Sequence, residues 1–568
     1  MNRRRLLTTA PAVMVAGCAT GELGRSADLV FYNGDIHSAN TAASRFSAVA
    51  VSGNQIVATG TDREVLALAG PATRRIDLQG RSMLPGINDS HLHLLMWALA
   101  RPPFSLDLTY PTVKSIADCV AQVQHAAQSR PKGEWIVGRG WDQPYFAENR
   151  APTAADLDAV APEHPVVLTE FSGHAVWANT KAMQLTGITA DTVPPAGGVI
   201  VKDAQGQPTG LLLEGAAWIV RGAVPEPTVA QHKRALRSGM SELLSRGITS
   251  CTVPGVSPDI LQQMGELAAE DFAAKMRVTA LVRSPDSYDA LLEVLEGYDA
   301  LRFDNPLWFQ MPGVKIMGDG IPTANKTAWL HEEYVGGGNG SLLIAGDTHH
   351  ERVLEINRMI EHIHSRGLQI GTHVTGDKSI DTVVDACRRA QATSGRKDAR
   401  HYLIHADLVR PDTLARMSTA GIGANFNPEI KHLIADSQIA ALGAERAAYE
   451  WPYRTALDAN VVVASSSDAP VTPGNWLQGI ATMLSRKGKQ TGAVSGPAQK
   501  ITLDEAIRTY TWAGAWQDRA ETWKGTIEPG MMADMCVLQG RLEDTSPDDL
   551  ASMQVAMTLV DGRVVFEA

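Results

Sequence analysis

Two histidines separated by one residue, His91 and His93, have the spacing in this sequence that most clearly suggests chemistry. At the end of a β-strand side chains alternate every two residues, so both imidazoles would emerge on one face and could bind a single cation. Imidazole is a ligand for zinc and its neighbours, and a catalytic site needs several such ligands plus an open position. Two histidines do not complete a site, so other parts of the chain must supply further ligands.

A His-x-His pair can also arise by chance, and the chain contains a second one at His362 and His364. The apolar residues around it follow a helical period: Val353, Ile356, Ile360 and Ile363. In a helix, positions two apart point toward different faces, so we interpret the second pair as solvated helix surface. The first pair follows Pro85-Gly86 and precedes an apolar run, which places it at a strand-to-loop junction, where functional residues concentrate.

The central part of the chain alternates strand-like apolar runs with helical patterns, as a barrel of βα units requires. Eight candidate strands cover residues 84–90, 248–252, 278–282, 314–317, 369–373, 402–405, 422–425 and 461–465. The sequence therefore predicts an α/β fold with a TIM-like (β/α)8 barrel over residues 84–523. Residues 101–227 follow the first strand and are too many for a loop, so we predict an inserted subdomain there.

The segments before and after the predicted barrel have the patterns of β-strands. Short alternating runs separated by turns fill residues 28–83, and similar runs recur at 533–538 and 558–565. Two half-sheets at opposite ends of a chain can complete each other. We therefore predict one small composite β-sandwich from residues 25–83 and 524–568.

Four further polar residues lie at or near the carboxyl ends of predicted barrel strands. They are Lys315, His373, His405 and Asp468. In an α/β barrel these strand ends all face one mouth, where catalytic groups from different strands converge. Separation in sequence is therefore no obstacle to one site.

Composition excludes some classes of function. The 568 residues exceed one ordinary domain, and 44% hydrophobic with 20% charged residues is typical of globular proteins. A net charge of −11 without a basic stripe argues against nucleic acid as a partner. The five cysteines are scattered without the spacing of a metal site or a disulfide framework.

Residues 1–18 have the pattern of an export signal. Three arginines at positions 3–5 precede an apolar stretch that is too short to span a membrane, and they resemble a twin-arginine signal. Val15-Ala16-Gly17-Cys18 resembles a bacterial lipobox, in which an acylated Cys18 becomes the mature N-terminus. The alternative is a plain cleaved signal in which Cys18 has no role. We expect an exported, periplasm-facing protein of the bacterial cell envelope whose only membrane contact is a lipid anchor at Cys18.

The motifs around these residues resemble those of the amidohydrolase superfamily, in the family 3 branch that contains N-substituted formamide deformylase. The matching stretches are 85–93, 314–316 with 319–320, 373–377, 404–406 and 467–471, with a further one in the insertion at 173–179. They occur in the family's order and span nearly the whole mature chain. The resemblance is therefore much stronger than any single motif.

The resemblance implies two divalent metal ions, usually zinc. The ligands of one ion would be His91, His93 and Asp468, and those of the other would be His373 and His405. Lys315, carboxylated by carbon dioxide, would bridge them, because a carbamate offers two anionic oxygens and a free ammonium offers none. Asp468 would act as general base and then general acid, and His174 would contact the substrate or its oxyanion.

Each of these assignments has a structural alternative. Lys315 could be a lysine at the edge of a strand that reaches solvent, and His174 could be a satisfied histidine inside the insertion. Four tryptophans could build an apolar substrate pocket or simply belong to the core: Trp97, Trp141, Trp177 and Trp329. The glycine-rich loop 336–340 could be a lid or an ordinary surface turn.

The function that these patterns favour is metal-dependent hydrolysis of a non-peptide C–N bond in a small molecule. The bond would be an amide, N-formyl or N-acyl linkage, and the substrate an aromatic or bulky amide. Hydrolysis of a cyclic amide, carbamate or ester is the alternative within the superfamily, and deamination is less favoured because related deaminases use one metal without the lysine. A binding lipoprotein on an inactive scaffold is the alternative from another class. Family habit favours a homodimer.

Overall fold

A parallel sheet of eight strands forms the centre of the part of the chain that the computed structural model describes, residues 26–171, 173–195, 197–270, 276–303, 305–323 and 326–568. Its strands are β8 (Ile87–Asp89), β15 (Ile248–Val256), β16 (Arg277–Arg283), β17 (Phe309–Met317), β18 (Gln369–Val374), β19 (Tyr402–His405), β20 (Gly423–Phe426) and β21 (Val463–Ser465). Across the seam between β21 and β8, the Ser90 N–H donates to the Ser465 carbonyl at 3.4 Å. The predicted (β/α)8 barrel is confirmed, and each predicted strand overlaps an observed one.

The first predicted strand is in fact two strands that belong to different sheets. β7 (Ser82–Pro85) pairs outside the barrel, and β8 begins the barrel after Gly86. A Cβ atom at Gly86 would lie 2.1 Å from Oγ1 of Thr249 in β15, so a side chain at this bend would collide with the neighbouring strand. Glycine thus lets one apolar run serve two sheets.

Strands from both ends of the chain share one sheet. It has the order β24-β23-β22-β7-β2-β3 and contains β2 (Asp35–His37), β3 (Arg45–Phe46), β22 (Met535–Leu538), β23 (Val555–Val560) and β24 (Arg563–Glu567). A second sheet, β5-β4-β1-β6, consists of β1 (Ala27–Tyr32), β4 (Ala48–Ser52), β5 (Gln55–Gly60) and β6 (Ala69–Asp77). Phe31 and Val49 of one sheet pack with Met535 and Leu559 of the other in a single apolar cluster. This is the predicted β-sandwich.

A buried ion pair ties the sandwich to the barrel. The Arg277 guanidinium, at the start of β16, donates to both carboxylate oxygens of Asp534 at 2.5 and 2.9 Å. Arg277 is 2% exposed and Asp534 5%. Two parallel hydrogen bonds fix orientation as well as distance, so the pair sets how β22 lies against the barrel.

The insertion between β8 and β15 forms a sheet of its own. Its order is β13-β14-β12-β11-β10-β9, with β9 (Leu106–Asp107), β10 (Ile136–Trp141), β11 (Val166–Glu170), β12 (Ala175–Ala178), β13 (Val199–Lys202) and β14 (Pro208–Leu213). Trp141 and Trp177 pack edge to face in its core, with ring centroids 6.2 Å apart. The insertion after the first barrel strand is confirmed as part of the fold.

Helices cover the outside of the barrel and pack against the smaller sheets. They are α1 (Asp62–Leu66), α2 (Leu94–Leu99), α3 (Ile116–Ser129), α4 (Ala154–Asp158), α5 (Thr180–Leu185), α6 (Ala217–Arg221), α7 (Val229–Ser245), α8 (Pro258–Glu270), α9 (Tyr288–Asp299), α10 (His349–Ser365), α11 (Asp377–Ser394), α12 (Pro411–Ala420), α13 (Pro428–Leu442), α14 (Ala444–Tyr449), α15 (Tyr453–Asp458), α16 (Trp476–Ser485), α17 (Leu503–Thr509), α18 (Trp512–Gln517) and α19 (Pro547–Leu550). Reciprocal capping by Thr228 with Gln231, and by Thr348 with Glu351, starts α7 and α10. Within the described ranges, none of these helices is long and apolar enough to cross a bilayer.

The second His-x-His pair lies on α10, as its period predicts, but the prediction of a solvated surface is wrong. His364 is 2% exposed; its Nδ1 lies 2.8 Å from Nε2 of His401 and its Nε2 lies 2.6 Å from Oγ of Ser394. Nδ1 of His362 lies 3.3 Å from the Tyr288 hydroxyl. Packing of α10 against neighbouring elements buries a position that helical periodicity alone assigns to water.

The predicted export signal and lipobox, residues 1–18, lie outside the described residues. The other four cysteines are buried free thiols: Cys119, Cys251, Cys387 and Cys536. Burial raises the pKa of the Cys119, Cys387 and Cys536 thiols to about 12. These three remain protonated at neutral pH and are poor ligands and nucleophiles.

Candidate metal centre

A cavity of about 500 Å³ lies at the carboxyl ends of the barrel strands and holds all six residues predicted as metal ligands. Those six lining residues are His91, His93, Lys315, His373, His405 and Asp468. They come from the ends of β8, β17, β18, β19 and β21, which all face this mouth. The structure thus brings together residues that are up to 377 positions apart in sequence, from His91 to Asp468.

Asp468 joins the two halves of the His-x-His motif. One of its carboxylate oxygens, Oδ1, lies 3.2 Å from Nε2 of His91 and 3.3 Å from Nε2 of His93. This buried oxygen has no hydrogen-bond partner of adequate geometry in the described part of the chain. Two ring nitrogens and a carboxylate oxygen that converge without hydrogen bonding form a donor set that fits a divalent cation.

The two histidines reach this position from a turn, not from a strand. β8 ends at Asp89, and His93 immediately precedes α2. Their ring centroids are 5.2 Å apart and nearly perpendicular. The predicted convergence is therefore present, although the turn and not strand alternation produces it.

His373 and His405 form the other side of the cluster. Their ring centroids are 4.5 Å apart, and that of His405 lies 5.2 Å from that of His91. One potential ligand atom from each of His91, His405 and Asp468 falls within 4.8 Å of the others. Burial lowers the pKa of His373 and of His405 to about 3, so both imidazoles are neutral at pH 7 and keep a lone pair for a metal.

Lys315, on β17, lines the same cavity. It is 4% exposed, and its amine forms no ion pair or hydrogen bond to the residues that the structure describes. Burial is the main cause that lowers the pKa of Lys315 to about 7, while nearby Asp468 opposes the shift. A large share of the side chain is therefore an uncharged amine at neutral pH, the form that can react with carbon dioxide. The alternative of a lysine reaching bulk solvent does not fit this burial.

Asp468 is held as a carboxylate. Burial acts to raise its pKa, but His91 and His93 outweigh burial and hold the pKa of Asp468 well below its usual range. Its backbone lies in the left-handed region, with φ of +58°, and so does that of His405, with φ of +72°. Such conformations cost free energy in residues other than glycine and cluster at functional sites.

Residues behind the predicted ligands fix their orientation. Oδ1 of Asn427 lies 2.7 Å from Nδ1 of His405, and the Asn427 amide donates to Oγ of Ser466 at 2.9 Å. Asp89 accepts hydrogen bonds from the hydroxyl and the backbone N–H of Ser467, at 2.6 and 3.1 Å, immediately before Asp468. Sequence reasoning missed these supports, although each lies within two residues of a ligand or directly after a barrel strand.

Asp319, part of the motif that follows Lys315, has a positioning role. Its carboxylate accepts from the backbone N–H groups of Thr375, Gly376 and Trp329 at 2.9 to 3.0 Å. These bonds hold the turn that follows His373 and precedes α11. Asp319 therefore acts on the histidine's loop and does not line the cavity itself.

The structure does not bring His174 to the cavity. His174 immediately precedes β12 of the insertion sheet. Its side chain is 69% exposed, and its Nδ1 lies 2.9 Å from a carboxylate oxygen of Glu214. It is not among the residues that line the cavity. Its role as a substrate contact remains a prediction.

The four tryptophans proposed for a substrate pocket are core residues. Trp97, Trp141, Trp177 and Trp329 are each at most 4% exposed, and none lines the cavity. The apolar wall consists instead of Met317, Ile321, Pro322, Ile430, Ile434, Trp451 and Val471. The glycine-rich loop 336–340 is also absent from the lining.

Two ionisable residues of the cavity were not predicted. Asp407 is 3% exposed and follows β19 two residues after His405; burial raises its pKa well above the usual range. Arg283 ends β16 beside Lys315. Both positions carry the signal that identified the ligands, a polar side chain at the carboxyl end of a barrel strand.

Comparisons with known proteins agree with this geometry. The amidohydrolase family matches residues 74–566. The putative amidohydrolase YtcJ of Bacillus subtilis is 29% identical over 95% of this chain and 99% of its own, and N-substituted formamide deformylase of Arthrobacter pascens is 28% identical over 95% and 98%. The crystal structure of an uncharacterized metal-dependent hydrolase from Pyrococcus furiosus has a TM-score of 0.70 at 27% identity and covers 91% of this chain and 99% of that one. The chain therefore belongs to the amidohydrolase family.

Proposed function

We propose that this amidohydrolase-family hydrolase cleaves a non-peptide C–N bond in a small molecule, an amide, N-formyl or N-acyl linkage, with bound divalent metal. The observation that carries the proposal is the convergence of Asp468 Oδ1 on Nε2 of His91 and of His93, at 3.2 and 3.3 Å, inside a cavity shared with Lys315. Similarity to N-substituted formamide deformylase supports an amide-type bond.

The residues fit a pair of cations, with zinc the first expectation. His91, His93 and Asp468 would hold one and His373 and His405 the other, with Lys315, as a carbamate, between them. When bound, such a pair lowers the pKa of a water molecule and polarises a carbonyl oxygen of the substrate. Neutral imidazoles, an ionised aspartate and a largely uncharged lysine amine are the protonation states that this ligand set needs.

Asp468 is the residue placed to move a proton. Its carboxylate is ionised and lies at the cavity wall, so it can accept the proton of the attacking water and return it to the leaving amine nitrogen. Asn427 holds the His405 ring through Nδ1, which leaves Nε2 for the cavity. The apolar wall around Trp451, Ile430 and Ile434 excludes water from one side of the substrate and suits an aromatic or bulky group.

A panel of substrates tests the reaction class. We expect N-formyl and N-acyl derivatives of aromatic amines and amino acids to yield a carboxylate and a substituted amine in equal amounts, measured by chromatography. Release of ammonia from amino-substituted heterocycles, without amide cleavage, would instead identify a deaminase. Preferential opening of cyclic amides, or cleavage of carbamates or esters, would identify the alternative within the superfamily.

We further propose export with a lipid anchor at Cys18, on the basis of residues 1–18. Cys18→Ser should move the protein from the membrane fraction to the soluble fraction, because the thiol that would carry the acyl chain is gone. Immunoblots of fractionated cells measure this, with Ala19→Ser as the control that should keep the wild-type distribution. A wild-type protein found wholly in the soluble fraction would refute the anchor.

A further inference from the structure

A second cavity of about 420 Å³ shares two wall residues, Arg283 and Met317, with the main cavity. Its remaining lining residues are Ser284, Pro285, Asp286 and Leu343. The side chains of Arg283 and Met317 therefore border both spaces.

Arg283 is an accessible cation without a protein partner in the described residues. Its guanidinium forms no ion pair or hydrogen bond there, although it lies on β16 in register with Lys315 of β17. Arg277, at the other end of the same strand, is held by both oxygens of Asp534. Of the two arginines on this strand, Arg277 therefore stabilises the fold, whereas Arg283, at the mouth of the barrel, can bind a ligand.

A guanidinium in a cavity wall that has no protein partner attracts an anionic ligand. A guanidinium recognises a planar anion through two parallel hydrogen bonds, and carboxylate is the planar anion that matches its geometry. The apolar wall of the main cavity, with Ile430, Ile434 and Trp451, suits the uncharged part of the same ligand. Charge and shape together therefore select a molecule with one apolar and one anionic portion.

We propose that Arg283 binds a carboxylate group of the substrate, so that the substrate class is an amide bearing a carboxylate, of which N-acyl amino acids are the simplest members. This inference rests on the proposed hydrolysis of an amide and specifies its substrate. Asp286 also lines the second cavity and forms no ion pair with Arg283. Its carboxylate repels a further anion there, so the site accepts one carboxylate and disfavours two.

The test compares two substrates that differ only in the carboxylate, N-formylphenylalanine and N-formylphenethylamine. We expect wild-type kcat/KM to be about tenfold or more higher for the acid, mainly through KM, because a site built for a charged group discriminates against a ligand that lacks it. Arg283→Met should remove this preference, and Arg283→Lys should keep part of it. Arg388→Met is the matched control, since Arg388 is an exposed residue of α11, outside the cavity, paired with Asp385 at 3.5 Å.

A binding measurement separates this inference from the proposed function. Calorimetric titration of the full chain with 3-phenylpropionate should show binding to wild type and to Arg388→Met, and at least about tenfold weaker binding to Arg283→Met. That result supports the carboxylate subsite even if neither formyl compound is hydrolysed. Absence of hydrolysis would then contradict the proposed reaction but not the proposed binding of a carboxylate by Arg283. If instead wild type hydrolyses both compounds with the same kcat/KM, and Arg283→Met lowers both values equally, the proposed subsite is wrong. The proposed hydrolysis of an amide is unaffected by that outcome. Thermal unfolding of each variant shows whether the fold is retained.

Discussion

Asp468→Asn is expected to lower kcat by roughly 10³-fold or more, since a positioned acid–base group alone contributes 10²–10⁴-fold and this one is also a predicted metal ligand. The amide is nearly isosteric with the carboxylate but carries no charge and cannot accept the proton of water. The carboxylate lies 3.2 Å from His91 and 3.3 Å from His93, so the change falls where ligand and proton acceptor coincide. Steady-state kinetics on the best substrate of the panel measures the loss.

Circular dichroism and thermal unfolding show whether the Asn variant keeps the native fold, which we expect. Asp412→Asn is the control, because Asp412 is an exposed residue of α12 whose side chain is 56% accessible. Its kcat should match that of wild type. Unchanged turnover in Asp468→Asn would remove Asp468 from the mechanism.

Lys315→Ala is expected to reduce bound metal from about two ions per chain to one or fewer and to abolish turnover, because the bridging ligand is lost. Elemental analysis of protein lacking residues 1–18, purified without chelator, measures the metal content. Removing a buried lysine side chain also leaves space beside the remaining ligands, since Lys315 is only 4% exposed. Added acetate or propionate, which can place a carboxylate in that space, should restore part of the metal content and activity.

Lys397→Ala controls for loss of a lysine in general, because Lys397 is exposed and remote from the cavity lining. One metal or fewer in wild type, unchanged in Lys315→Ala, would make Lys315 structural and favour mononuclear chemistry. No metal in either protein after reconstitution with zinc and bicarbonate would favour a binding protein on an inactive scaffold.

The barrel and the convergence of the predicted ligands could be foreseen because local patterns encode them. Each barrel strand is a short apolar run, and His373, His405 and Asp468 end or follow such runs, so topology alone gathers these three residues at one mouth. The split of the first strand at Gly86 was missed because both halves are apolar. Only the distance to Thr249 reveals the bend.

Features that depend on contacts between distant elements could not be predicted. Helical periodicity predicts that His364 lies on the helix surface, but the fold packs His401 and Ser394 against it. An aromatic residue looks the same in the sequence whether it belongs to the core or lines a pocket. The sequence therefore could not distinguish the core tryptophans from Trp451, which lines the cavity. The sequence also could not show that Arg283 has no ion-pair or hydrogen-bond partner among the described residues, because that depends on which side chains the fold places around it.

The sheet shared by the two ends of the chain also sets an order of events during synthesis. β7 is followed by β8 and then by the turn that carries His91 and His93. β7 pairs with β22, and Asp534, just before β22, binds Arg277 of the barrel. Residues 534–538 leave the ribosome long after the histidines, so the turn lacks its final support until the chain is nearly complete. Contacts this remote in sequence form late. In a nascent chain, the proposed metal ligands His91 and His93 should therefore take their final positions only after these residues have been synthesised.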